Sequence, residues 1–241
     1  MLDLIIEGAR PQKLAFDVKK MINAGLSNRD QAGVRKHLDE AAKEGIKYIF
    51  EQTPAYLPKV KDRITTGDVI EVLPNSKSSG EAEPVVLVGE NKEIYIAAGS
   101  DHSDRELEKY DMILSKHIYP NVMSRRVWRF ADVKDHWDDI ILRGWVIDAD
   151  GKRQLYQENK VGEFMGVEQF LEEVRNYFQI DLNGLVMFMG TFPTLGGKLI
   201  ITPGFEVQMV DEKLKRTLTC SYITQPMAWF KYGPHTPKKV A

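Results

Sequence analysis

Cysteine is nearly absent from this chain. Cys220 stands alone among 241 residues, so no disulfide can close within it. A single thiol and nine methionines suit a reducing compartment better than an exported scaffold, and a cytoplasmic location is the expectation. No secretory leader is expected either. The opening MLDLII is apolar, but it lacks a basic start, Glu7 and Arg10 interrupt it, and it is far too short to span a bilayer. Charge of either sign is not in excess: the formal net charge is -2, which excludes a strong long-range field toward nucleic acid or an anionic membrane. A phosphate-binding loop is missing too, since Gly196-Gly197 is not followed by Lys-Ser/Thr. No internal repeat, heptad pattern or low-complexity tract is present.

What remains is the composition of a globular protein, with 43% hydrophobic, 10% aromatic and 28% charged residues. Hydrophobic periodicity and turn residues predict strands at 2–7, 13–22, 69–73, 82–88, 93–98, 138–148, 154–156, 184–189, 198–202, 206–209 and 214–224. Helices are expected at 30–43, with Asp30 as N-cap and Gly45 beyond its end, at 104–116, and at 167–178. In the last, Phe170, Leu171, Val174 and Phe178 share a face. Residues 48–57, aromatic and carrying Pro54, read as an irregular crossing segment. Asp148-Ala149-Asp150-Gly151 is a strong turn signal. Without a linker, one α+β domain over 1–241, dominated by strands, is the simplest layout.

The most informative stretch is Ser79-Gly80-Glu81-Ala82-Glu83-Pro84, which opens the apolar run 85–88. Alternate strand residues point to one side, so Glu81 and Glu83 aim two carboxylates at one place. Two carboxylates that close repel unless a cation lies between them. Alone, the pair also fits two solvated residues at a strand start. The next strand returns antiparallel across Gly89-Glu90-Asn91 and brings Asp101 back beside them. Glu81, Glu83 and Asp101 then form an all-oxygen set suited to Mg2+ or Mn2+, with Ca2+ also open. The Asp135-His136-Trp137-Asp138-Asp139 cluster reads instead as a solvated loop, and Cys220 as a buried small hydrophobe.

In order along the chain stand Glu81-Ala82-Glu83, Asp101-His102-Ser103-Asp104-Arg105, Ser115-Lys116, Asp150-Gly151 with Tyr156-Gln157, and Gly190-Thr191-Phe192-Pro193. This series, over about residues 23 to 224, resembles the fumarylacetoacetate hydrolase superfamily, in a bacterial branch of unassigned function. The resemblance implies a mixed β-roll with a few flanking helices, residues 1–70 supplying a lid helix and 71–225 the metal-binding core. Upstream, His37-Leu38-Asp39-Glu40 followed by Thr53-Pro54-Ala55-Tyr56 is similar to the lid of acylpyruvate hydrolases. Three departures stand out. The 18-residue step from Glu83 to Asp101 is short, an F-x-K motif is replaced by Tyr56-Leu57-Pro58 with Lys59 displaced by one, and Phe192 is inserted into the G-T-P turn.

The resemblance further implies an enzyme whose metal chelates the carboxylate and 2-oxo oxygens of a small 2-oxo acid. His37, oriented by Glu40, would serve as base, and Lys116 would add positive charge at the chelated oxygens. Arg105 would bind substrate carboxylate or, as favoured here, brace Asp101. Gly190 and Thr191 would hold the far side of that carboxylate, with Tyr56 and Gln157 near the pocket. Hydrolysis of a C–C bond in an acylpyruvate-like substrate is the leading expectation. Decarboxylation or isomerisation of a related 2-oxo acid, and a non-catalytic small-acid binder, are the alternatives. Relatives of this kind are commonly dimers, so a homodimer is implied.

Overall fold

The computed structural model describes residues 1–43, 50–233 and 236, with the side chains of 37, 38 and 40–43 left out. Strands Ala82–Val88 and Ile94–Ser100 form its central hairpin, and every residue of the first is buried. A continuous apolar run rather than an alternating one is what a strand covered on both faces requires. Ala82, Val86 and Val88 pack on one side with Ile96 and Ala98, and Val85 and Leu87 on the other with Tyr95 and Ala97.

This hairpin sits in a ten-stranded mixed sheet. Arg126–Arg129 pairs with Ile94–Ser100 and carries Leu2–Ile6 alongside it in parallel. On the opposite side Leu185–Phe188 pairs with Ala82–Val88, followed by Lys20–Gly25 and the edge strand Ala55–Lys59. Leu4, Ile6, Phe16, Val85, Leu87, Val127 and Phe188 come from this one sheet, yet they bury one another in a single cluster. The sheet therefore curls over itself as a half-barrel. Its outer face is covered by a five-stranded sheet that includes Ile141–Ile147, Gly204–Asp211 and Arg216–Pro226. Helix Val167–Phe178 inserts Val167, Phe170, Leu171 and Val174 into the core that the two sheets share.

The main strands and helix Val167–Phe178 lie where periodicity places them, and Asp148–Gly151 makes its turn with Gly151 at φ +78°. Cys220 is buried. Several local expectations fail for reasons of tertiary pairing. The segment 13–22, expected as a strand passing into something less regular, holds two strands, because Gln12–Phe16 pairs with Leu2–Ile6 while Lys20–Gly25 runs parallel to Leu185–Phe188. The helix expected at 104–116 is shorter. Ser103–Asp104 pairs with Ser78–Ser79, a 3-10 turn follows at Leu107–Lys109, and Asp111 caps helix Met112–Ile118 by accepting from the Leu114 N–H at 2.9 Å. Residues 198–202 form no strand. Ala55–Lys59 is a strand despite Pro58, since a sheet edge has no need of the missing N–H. No helix among the described residues is long and apolar enough to cross a membrane.

Candidate metal centre

Glu81 and Asp101 face each other where the central hairpin opens, each donating its N–H to the other's carbonyl at 3.1 Å. One step along, Glu83 pairs with Gly99. Directly opposed residues and those two apart share a face of a sheet. Oxygens of Glu81, Glu83 and Asp101 accordingly lie within 4.8 Å of one another. Glu83 and Asp101 are buried, while the Glu81 side chain keeps 22% of its surface open to the cleft.

Three cations surround these carboxylates. Lys116 Nζ, on helix Met112–Ile118, donates to Asp101 Oδ2 at 2.5 Å and to Glu81 Oε2 at 3.3 Å. Arg105 Nη1 lies 3.1 Å from Glu81 Oε1 and 2.9 Å from Glu108 Oε2, and its Nε donates to Ser79 Oγ at 2.7 Å. Lys59 Nζ stands 3.8 Å from Asp101 Oδ1 and donates to Asn121 Oδ1, whose amide nitrogen donates to Asn23 at 3.0 Å. Burial raises the Glu83 carboxyl well above its ordinary value, and the neighbouring Asp101 and Glu81 charges add to this. Burial also works against Asp101, yet Lys116 and Lys59 outweigh it and hold that carboxyl below its usual range. Lys59 is lowered by burial to about 8, and the Lys116 ammonium is held charged by Asp101, Glu81 and Glu83 against burial.

Two observations fit this cluster to a hard divalent ion. Asp101 Oδ1 is a buried acceptor with no hydrogen-bond partner. Burial, with the Asp101 and Glu81 carboxylates beside it, disfavours the ionised form of Glu83, and a bound cation would relieve that. The donors are all oxygen, the set that suits Mg2+ or Mn2+. With all four carboxylates ionised, Glu81, Glu83, Asp101 and Glu108 against Lys59, Arg105 and Lys116 leave the described cluster one charge negative, so a divalent ion would turn it positive.

The carboxylates open into a cleft of about 740 Å³. Arg105, Lys116, Gln157 and Thr191 are on its wall with Glu81 and Glu83. Gln157 is fully engaged within the protein: its oxygen accepts from the Ala82 N–H at 3.0 Å, and its nitrogen donates to Thr191 Oγ1 at 2.7 Å and to the Phe192 carbonyl. Thr191 Oγ1 in turn donates to the Ala82 carbonyl at 2.9 Å. Gly190 acts on the metal set, its N–H donating to Glu83 Oε2 at 2.8 Å. Arg105, held between Glu81 and Glu108, has the geometry of a brace, though on Glu81 rather than on Asp101.

Tyr56 is not on this wall. Along Ala55–Lys59 the residues alternate in direction, so Leu57 reaches the cleft while Tyr56 points away, packing on Phe170, Tyr177 and Phe178. That same alternation carries Lys59 to the metal side, and reading the strand with period two from Leu57 would have found it. His37 and Glu40 belong to helix Gln31–Lys43, whose first turns bring Gly33 and Val34 to the cleft, but their side chains lie outside the described residues.

Comparison with known proteins agrees with this architecture. Residues 24–222 match the family model DUF2848, a protein of unknown function. Among curated proteins none matches. Of solved structures, a hexagonal crystal form of 2-keto-3-deoxyarabinonate dehydratase is similar with a TM-score of 0.63 at 13% identity, over 92% of this chain and 79% of that one. The 2-keto-3-deoxy-D-arabinonate dehydratase complexed with magnesium and 2,5-dioxopentanoate gives the same TM-score, identity and shares. Cg1458 is similar with a TM-score of 0.60 at 14% identity, over 93% of this chain and 88% of its own. At such identities the likeness shows the fold, which is the fumarylacetoacetate-hydrolase-like one expected.

Proposed function

The chain belongs to the DUF2848 family, and we propose that it is a divalent-metal-dependent enzyme acting on a small 2-oxo acid. The observation that carries this reading is the convergence of Glu81, Glu83 and Asp101 at a cleft, with Lys116 among them. A divalent ion held by those carboxylates would polarise the 2-oxo group of a chelating substrate and give the pocket the positive charge that draws an anion. Lys116 sets a fixed ammonium beside the substrate oxygens, Arg105 and Gly190 hold Glu81 and Glu83 in place, and Gln157 fixes the Thr191 turn.

Hydrolysis of an acylpyruvate is our first assignment. His37, oriented by Glu40, takes a proton from water, the oxygen adds to the distal carbonyl, and the C–C bond breaks. Its electron pair passes to the pyruvate enolate, which is then protonated. The placement of helix Gln31–Lys43 at the cleft supports a base arriving from there. A second reading, elimination of water from a 3-deoxy-2-oxo acid, is favoured by the dehydratase with this fold that binds magnesium and 2,5-dioxopentanoate. Here a base would remove a C3 proton to give a 2-oxo acid enolate, which expels the C4 hydroxyl as water, so no activated water is needed. A homodimer and a cytoplasmic location go with either reading.

The test is a panel of acylpyruvates and 3-deoxy-2-oxo acids incubated with Mg2+ or Mn2+. Loss of enol absorbance that disappears in His37→Ala, with Mn2+ affinity retained, establishes hydrolysis. Water loss that survives His37→Ala establishes elimination. No turnover of either class, nor of other 2-oxo acids, with any divalent ion would sink the enzyme reading in favour of a small-acid binder.

A further inference from the structure

The cleft is far larger than a 2-oxo acid head needs. Apart from the metal centre and the Gln157–Thr191 turn, much of its described wall is apolar, with Val34, Phe50, Leu57, Met112, Phe192 and Leu199. Phe192 is held rigidly, stacked on Phe164 with ring centroids 4.3 Å apart. Leu57 comes from the strand that also carries Lys59, and Met112 from the helix that carries Lys116, one turn away. The apolar wall is therefore built on the same elements as the polar pole.

Charge on the wall is equally selective. Among the described residues only Arg105 and Lys116 line the cleft as cations, and both are committed to Glu81, Glu108 and Asp101. Apart from the metal-set carboxylates Glu81 and Glu83, the other charged lining groups, Asp30 and Glu108, are acidic. Among the described residues, a second carboxylate on the substrate would thus meet two like charges and no cation outside the metal centre. Of the polar side chains on the described wall, Gln157, Thr191, Thr194 and Tyr156 already have partners within the protein, which leaves Asn28 for a hydroxyl on a substrate chain. Burying a polar group without a partner is penalised, whereas each buried methylene is favourable.

Resting on the metal-and-2-oxo-acid reading, we infer that the substrate carries an uncharged, largely apolar tail of several carbons, seated against Val34, Phe50, Leu57, Met112, Phe192 and Leu199. Phe192, the residue inserted into the turn, is then a specificity-determining one: it lays an aromatic face where the tail lies.

The experiment titrates the full chain, loaded with Mn2+, with pyruvate, 2-oxobutanoate, 2-oxohexanoate, 2-oxooctanoate and 2-oxoglutarate by calorimetry. Affinity is expected to rise about two- to fourfold per added methylene, and 2-oxoglutarate to bind at least roughly tenfold more weakly than 2-oxohexanoate. Leu199→Asp, at a residue 51% exposed, should reduce the gain between pyruvate and 2-oxooctanoate; an unchanged gain overturns the placement. Metal-dependent pyruvate binding with a flat series, or with 2-oxoglutarate preferred, overturns the inference and leaves the metal reading standing. If no 2-oxo acid binds with any divalent ion, both fail.

Discussion

Replacing Gly190 by alanine tests how the backbone holds the metal set. Gly190 sits at φ +105°, outside what an L-residue adopts without strain, and a Cβ built there would lie 2.5 Å from Ser27 Oγ. Its N–H is also the donor that fixes Glu83 Oε2 at 2.8 Å. Strain of this kind costs about 1–3 kcal/mol, and a hydrogen bond to a charged group contributes about 1.5–3 kcal/mol. The two are coupled through one peptide, so a loss of roughly 2–5 kcal/mol follows rather than their full sum. In a chain of this size that lowers Tm by about 5–15 °C. Mn2+ affinity, followed by calorimetry, should fall at least about tenfold as Glu83 loses its anchor. Ser27→Ala removes the clash and also the Ser27 hydrogen bond to the Met189 carbonyl, so Gly190→Ala should cost less Tm in a Ser27→Ala background than in the parent. Wild-type melting and Mn2+ binding in Gly190→Ala would refute the argument. A raised KM with unchanged Mn2+ affinity would instead give Gly190 a direct role toward substrate.

Lys116→Met leaves Asp101 Oδ2 and Glu81 without their ammonium, and the metal-free protein should lose about 3–5 kcal/mol in urea denaturation; added Mn2+ should recover more stability in this variant than in the parent. His102, buried against Tyr222 with its Nδ1 2.8 Å from the hydroxyl, is depressed by burial to about 3. The unfolded chain therefore binds more protons between its ordinary value near 6.5 and about 3, so stability falls as pH falls through that window, by up to roughly 5 kcal/mol. His102→Asn should flatten this part of a stability–pH profile, and an unaltered profile counts against it. Tyr56→Phe removes a 3.3 Å hydrogen bond to Glu173 away from the cleft, so it should cost about 1 kcal/mol or less and leave KM unchanged in steady-state assays. A large KM effect would return Tyr56 to the substrate.

Legibility differed between parts of the site. Glu81, Glu83 and Asp101 were readable because a hairpin with a short turn ties sequence distance to spatial distance. Lys116 and Arg105 were reached only through the ordered resemblance, since no local pattern says that a helix-end lysine turns inward. Lys59 is hidden from motif reading because the lysine stands one place beyond the expected F-x-K position, although strand alternation aims it at Asp101. Tyr56 was placed at the pocket by the same resemblance, and the pleat sends it to the other face.

From the sequence alone came the strand-rich class, the amphipathic helix at Val167–Phe178 and the acidic triad, all consequences of period and turn within a few residues. The tertiary structure decided which strands pair across the chain, how the ten-stranded sheet curls over itself, and which cations enter the carboxylate cluster. Those are contacts between residues tens of positions apart, where burial and charge balance select the arrangement and local propensity has no vote.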